Sequence, residues 1–375
     1  MLNHLKLVRI LFILILSFGI FSVSRAFAAD KSIDQYFMED VYEDHEAYNQ
    51  LERFLYTDII EGYEETEVYE EDGEIYEYTS ILVKPGNTIT RAQFTKILVN
   101  AMNLKPGDIT KSFLDVKSSD WYYDYVQTAT SNGIIIGKPD GKFKPNDKIT
   151  RAQMASMIYR AFEPTVDFSA PIKTFKDVTT KNSAHEAIAK AAGVGIIKGY
   201  GTEFKPNDFA KRSQAVLMID RALHLELGTA EDESVVTHVV NRNITEEFLL
   251  TDQQDINGLK TLYRETTMGY YLALSLDTLT LQEDSEEFEG TITAKQVGEH
   301  TSTVTTLNKR FAEVKIDNLK VQVVMTAPDM NFDMTVDMSG TAYLKKTADG
   351  TWKIYNIVYD EDYEDVLSAA VLENE

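Results

Sequence analysis

Three arginines, Arg91, Arg151 and Arg212, occupy matching places in three segments about sixty residues apart. The segments read KPGNTITRAQ (84–93), KPNDKITRAQ (144–153) and KPNDFAKRSQ (205–214). Each arginine falls at the first turn of an expected helix, where free backbone N–H groups and the helix dipole favour anions. The guanidinium adds a planar fork of donors suited to a carboxylate. Recognition of an acidic ligand is the chemistry this pattern suits. The competing reading is that the arginines bridge neighbouring copies as structural ion pairs.

The elements that must position these arginines are legible nearby. Thr90 and Thr150 read as N-caps, and Gln93 and Gln153, three residues on, complete capping boxes. The helices continue with one apolar face each: Phe94, Ile97, Leu98 and Met102; Met154, Met157, Ile158 and Phe162; Ala215, Met218, Ile219 and Leu223. One copy cannot bury such a face alone, so three matching faces predict a shared bundle. The repetition extends upstream. Phe113 and Asp115 match Phe175 and Asp177, and Gly133-Ile-Ile-Ile-Gly137 matches Gly195-Ile-Ile-Lys-Gly199. In the first copy, Thr57 to Tyr63 fills the same slot.

The F-x-D start, the G-I-I-x-G turn, the F-K-P-N run and the I-T-R-A-Q helix start resemble the S-layer homology (SLH) family over roughly residues 43–225. Three departures are visible. Gln replaces the family's Glu after T-R-A in all copies, the third copy has Lys211-Arg-Ser, and only the second copy has the family tryptophan, Trp121, where the third has Ser183. The resemblance implies a three-lobed spindle around a three-helix bundle. It also implies binding of pyruvylated secondary cell-wall polysaccharide, whose ketal carries a carboxylate, at Arg91, Arg151 and Arg212. On that reading Lys84, Lys144 and Lys205 assist, Trp121 stacks on a sugar ring, and the turn glycines Gly62, Gly137 and Gly199 belong to the sites. Core packing is the alternative for Trp121.

Composition and the chain ends narrow the function further. Basic residues His4, Lys6 and Arg9, the apolar run Ile10–Val23 and Ala26-Phe27-Ala28 read as a secretory signal over 1–28. The run is short for a membrane span, so no membrane contact is expected after cleavage. There is no cysteine, which excludes disulfides, thiolate metal sites and a cysteine nucleophile. A net charge of −23 argues against nucleic acid and against long-range attraction to an anionic polymer, so wall binding must be local and short-ranged. Six scattered histidines show no metal spacing, and no nucleophile elbow, phosphate loop or calcium loop is present. No catalytic residue, metal or cofactor is assigned.

The expected layout is a signal at 1–28, an acidic lead-in at 29–44 and SLH repeats at 45–105, 106–166 and 167–226. A linker at 227–246 then leads to an α+β domain at 247–375. The first repeat carries an insert at 64–80 in which Asp72-Gly73, between Val68-Tyr69 and Ile75-Tyr76, signals an acidic, tyrosine-rich β-hairpin. It is read as decoration or as a partner-binding arm. In the last domain a helical stretch (250–279) precedes strand-like FAEVKIDNLKVQVVM, FDMTVDMSGTAYLKK and TWKIYNIVYD, an α+β signature with a curved antiparallel sheet. GYYLALSL, FAEVKIDNLKVQVV and DGTWKIYNI resemble the nuclear-transport-factor-2-like fold, which by itself gives no activity. The domain is expected to fold alone and to move relative to the repeats.

The resulting expectation is a non-enzymatic, exported protein held in the cell wall or S-layer of a Gram-positive cell, displaying a domain whose surface partner is open. Two alternatives stand beside it: a wall-attached enzyme with its active site in the C-terminal pocket, and a soluble pair of carbohydrate-binding modules. The exported chain should begin near Ala29 or Asp30. Mass spectrometry of the surface protein checks this, and an intact Met1 there refutes the signal reading.

Overall fold

The computed structural model describes residues 31–71, 74–108, 111–283, 291–327 and 330–360. The signal segment, the Asp72-Gly73 turn and the acidic stretch after Asp360 lie outside them.

The repeats contribute α1 (Tyr48–Tyr56), α2 (Arg91–Ala101), α3 (Tyr123–Ser131), α4 (Arg151–Phe162), α5 (His185–Gly193) and α6 (Arg212–Leu223). Helices α2, α4 and α6 begin as the caps predict. Thr90 and Thr150 Oγ1 accept from the Gln93 and Gln153 N–H groups at 3.2 and 3.3 Å, and each glutamine returns a bond to its cap residue. The third copy keeps only the return half, Lys211 N–H to Gln214 Oε1 at 3.1 Å, because lysine has no side-chain acceptor. The twelve apolar residues named on these three helices are at most 4 % exposed, so the three faces do bury one another.

Main-chain bonds close the three copies into a ring. Ile149 N–H donates to Ile89 O (3.0 Å), Ala210 N–H to Ile149 O (2.9 Å) and Ile89 N–H to Ala210 O (3.2 Å). A hairpin rises from the first copy: β1 (Tyr63–Glu71) pairs antiparallel with β2 (Glu74–Leu82). Its base is tied down by Gln35 Nε2 to Glu64 (2.9 Å), Tyr78 OH to Glu39 (2.6 Å) and Glu39 N–H to Ile81 O (3.1 Å).

The lead-in differs from expectation. Ile33, Tyr36 and Val41 are buried in the repeat core, and Asp40 does in copy one what Asp115 and Asp177 do in the others, as described below. The first repeat therefore begins upstream of residue 45.

The stretch 227–246 also differs. It is the first part of a 23-residue helix, α7 (Ala230–Asp252), capped by Thr229, with Glu231, Asp232 and Glu233 in its first turn, where acids are favoured. Val236, Val240 and Ile244 recur every four residues and are buried against the sheet. Polar composition masked that stripe, since a helix lying on a sheet needs only a narrow apolar face.

Helices α8 (Ile256–Thr266) and α9 (Gly269–Glu283) follow, then β3 (Thr291–Val297), β4 (Thr301–Leu307), β5 (Phe311–Asp317), β6 (Lys320–Ala327), β7 (Met330–Asp337), β8 (Gly340–Lys346) and β9 (Trp352–Tyr359). They form antiparallel sheets of order β3-β6-β7 and β4-β5-β8-β9. Register shifts occur at Val304/Thr306 and Tyr343/Leu344. The helical repeat region followed by an α+β unit matches the expected class.

The two halves are joined by buried contacts. Tyr270, Ala273, Leu274, Phe311 and Tyr355 belong to the same core as the repeats. Tyr56 and Tyr270 stack with centroids 4.0 Å apart, Lys345 Nζ donates to Asn103 Oδ1 at 3.0 Å, and the Asn103 amide donates to Lys346 O at 2.6 Å. Burial draws the Lys345 pKa down to about 8. Gly269, at φ +55°, sits so close to Tyr56 O that a Cβ would lie 1.8 Å from it. Loose, independent motion of the last domain does not fit this interface. The full chain should melt in one calorimetric transition, and Tyr270→Ala should lower its stability by about 3 kcal/mol. Two separate transitions in the wild type would refute the shared core.

Candidate functional site

The site residues sit where one copy meets the next. At the start of each helix the first N–H groups are orphaned by geometry. Here the neighbouring copy satisfies them: Arg91 N–H donates to Asp147 O, Arg151 N–H to Asp208 O and Arg212 N–H to Asn87 O, at 3.0, 2.9 and 2.9 Å. Ala92, Ala152 and Ser213 donate likewise to Pro145, Pro206 and Pro85, each at 3.0 Å. The free N–H groups expected to receive an anion are thus consumed within the fold, because buried donors at an interface must be paired.

The three arginines follow the same cyclic rule. Arg91 Nε donates to Phe143 O (2.9 Å) with its guanidinium 4.8 Å from the Phe143 ring centre. Arg151 Nε donates to Phe204 O (2.9 Å), with the Phe204 and Tyr200 rings at 4.6 and 4.8 Å. Arg212 reaches back to the first copy, where Nη2 donates to Glu61 O (2.7 Å) and the Tyr63 ring lies at 5.2 Å. Its Nε is buried without a partner. The residues are only 8, 6 and 5 % exposed, and burial lowers all three pKa values, while a guanidinium keeps its charge inside a protein. They do bridge copies, but through carbonyls and rings: among the described residues none of the three forms an ion pair. Each keeps a terminal nitrogen on a weak contact, Arg91 to Gln153 Oε1 (3.4 Å), Arg151 to Tyr200 OH (3.5 Å) and Arg212 to Tyr63 OH (3.5 Å). Such a donor can still turn to a ligand oxygen.

Lys84, Lys144 and Lys205 share a left-handed backbone, with φ of 55°, 61° and 59°. A lysine before proline disfavours that conformation. An aspartate holds it in place. Asp40 accepts from the N–H groups of Val83 and Lys84 (2.7 and 2.7 Å), Asp115 from Phe143 and Lys144 (2.8 and 2.8 Å), and Asp177 from Phe204 and Lys205 (2.9 and 2.7 Å). This clamp aims the lysine stem and also fixes the carbonyl that receives Arg91 or Arg151. Sequence reasoning assigned it no role and missed Asp40. The signal was present, since Asp40-Val41 repeats as Asp115-Val116 and Asp177-Val178.

Gly137 (φ +81°) and Gly199 (φ +71°) lie against Phe113 and Phe175, where a Cβ would come within 2.4 and 2.3 Å of a ring carbon. Gly62 is as close to Ile81, at 2.1 Å. Steric fit accounts for all three. Trp121 is 56 % exposed, edge-on to Tyr122, so the core-packing alternative is not its place. Tyr63 and Tyr200, which sequence reasoning passed over, each accept from an arginine of one copy and a glutamine of another position, Gln93 at 3.1 Å and Gln214 at 2.7 Å.

Asp177 provides a test of the clamp. Partial burial raises its pKa, but the backbone bonds from Phe204 and Lys205 outweigh this and hold it below the ordinary carboxylate range. A depressed pKa stabilises above the unfolded value and loses that contribution as pH falls through the folded one. Asp177→Ala should cost about 2 kcal/mol near neutrality. The gap between the two urea midpoints should close in acid, below a pH of about 4.

The S-layer homology domain profile matches residues 112–155 and 174–216, within the second and third copies. An exoglucanase of Acetivibrio thermocellus is 35 % identical over 147 residues, 38 % of this chain and 13 % of that protein. A cellulosome-anchoring protein of the same organism is 34 % identical over 154 residues, 39 % of this chain and 34 % of the relative. A surface-layer 125 kDa protein of Lysinibacillus sphaericus is 30 % identical over 265 residues, 68 % of this chain and 20 % of the relative. The chain thus spans a minor part of each of these relatives' length. With its ring of repeats and these matches, the chain carries S-layer homology domains and is a secreted, cell-wall-anchored surface protein.

Proposed function

We propose that the grooves between copies bind secondary cell-wall polysaccharide, with its pyruvyl ketal carboxylate as the recognised group. The observation that carries this is the threefold recurrence of a mostly buried guanidinium with a loosely held terminal nitrogen, beside a lysine that an aspartate clamp holds in a left-handed backbone. Strain retained at three equivalent positions points to a site rather than to packing. Aromatic rings line two of the grooves through Tyr63 and Tyr200, and the exposed Trp121 offers a face for a sugar. The closed arrangement of repeats is read as a pseudo-trimeric spindle. The C-terminal unit, three helices followed by antiparallel sheets, is read as a nuclear-transport-factor-2-like domain with a curved sheet. Its role is display without catalysis, and it is held rigidly on the anchor.

The experiment is co-sedimentation of the full chain with purified walls, native and stripped of pyruvyl groups. Lys144→Ala with Lys205→Ala removes exposed charge while leaving the bundle intact, and should weaken binding about tenfold or more. Adding Trp121→Ala should weaken it further. Arg91→Ala with Arg151→Ala should abolish binding and also lower the melting temperature, since both Nε–carbonyl bonds are lost. Unchanged binding by the folded lysine double variant, or equal binding to stripped walls, overturns the reading.

A further inference from the structure

The three grooves are built alike but do not carry the same charge. The residue ahead of the turn glycine is Ile136 in the groove that holds Arg91, Lys198 in the groove that holds Arg151, and Glu61 in the groove that holds Arg212. Next to Arg151, Lys205 lies 5.0 Å from the Tyr200 ring centre and has no acidic partner among the described residues. Next to Arg91, Lys144 is only loosely paired, with Asp140 at 3.8 Å. Next to Arg212, Lys84 is 5.1 Å from the Tyr63 ring centre and its ammonium is in direct contact with the Glu65 carboxylate.

Glu65 comes from the hairpin, the element that the second and third copies lack. It is two residues from Tyr63, so both side chains leave the same face of β1, and that face is turned to the groove. The Gln35–Glu64 and Tyr78–Glu39 bonds fix the base of the hairpin. Glu61 adds a second acid, paired with Lys96 at 2.8 Å. That bond, the largest influence on it, holds Glu61 below its ordinary pKa and therefore ionised.

We propose that the hairpin makes Glu65 the resident carboxylate of the third groove. Glu65 occupies the lysine that an acidic ligand would use, so the chain offers two grooves, those of Arg91 and Arg151, to a carboxylated glycan. An exposed ion pair is weak in isolation. This one is presented by a β-ladder within the same chain, so an outside carboxylate competes against a high effective concentration. Glu61 stands where the other two grooves carry Ile136 and Lys198, and so adds like-charge repulsion at a position that is neutral or basic in them. The inference rests on the groove reading above and names which grooves take part.

The test uses the full chain, wild type and Glu65→Gln, with two readouts. In calorimetric titration with a pyruvyl-ketal hexoside, the wild type should bind two per chain and Glu65→Gln three. A wild-type count of three, or a count unchanged by the substitution, overturns the proposal. In acetic anhydride labelling followed by mass spectrometry, Lys84 should react several-fold more slowly than Lys205 in the wild type and about as fast in Glu65→Gln. Equal wild-type rates overturn the proposal without any ligand. If the hexoside binds nowhere, the groove reading under Proposed function fails, and the labelling rates still decide whether Glu65 holds Lys84.

Discussion

The constraint on which the structure depends is the unpaired backbone at the start of three helices. An α-helix leaves its first N–H groups without intrahelical partners, and in a buried bundle water cannot supply them. Each copy here supplies them to another through loop carbonyls, Pro145 and Asp147 to α2, Pro206 and Asp208 to α4, Pro85 and Asn87 to α6. Such a scheme closes only if all three copies are present. It also dictates that the arginine at each helix start projects under a neighbouring loop, which is why every groove is composite.

The same scheme explains the division of labour inside a groove. The arginine is the floor: Nε is committed to a carbonyl, and an aromatic ring covers its face. The lysine is the rim, aimed by a strained backbone that the aspartate clamp holds. Clamp and arginine meet on one residue, since Asp115 takes the Phe143 N–H while Arg91 takes the Phe143 carbonyl, and Asp177 and Arg151 do the same at Phe204. A change at either acid therefore reaches the cation through a single peptide unit.

The repeats and the last domain share further constraints. Arg53 on α1 pairs with Asp220 on α6 at 2.6 Å and is bonded to His224 at 3.2 Å, whose ring stacks on Phe311 of β5. Arg310 and the fully buried Glu226 form a second pair at 2.8 Å just before α7. Breaking the Arg310–Glu226 pair would leave an uncompensated buried charge, so this pair and the His224–Phe311 stack oppose separation of the two halves. The last domain is therefore held in a set orientation on the repeats.

The sequence by itself determined what is local and periodic. The capping boxes at Thr90 and Thr150, the apolar faces of α2, α4 and α6, the hairpin around Val68–Tyr76 and the order of helices before strands were all readable, because each rests on residues a few positions apart. It also placed the arginines at equivalent positions. Only the tertiary structure decided what those arginines touch. The helix N-termini, read locally as open anion sites, are filled by carbonyls 53 to 128 residues away in the chain. The stretch 227–246, read from its acids as a linker, is a helix because Val236, Val240 and Ile244 find a sheet that forms much later in the chain. The hairpin's Glu65 reaches Lys84 because β-pairing folds the insert back over its own groove. In each case the deciding partner is distant in sequence, and no spacing rule carries that information.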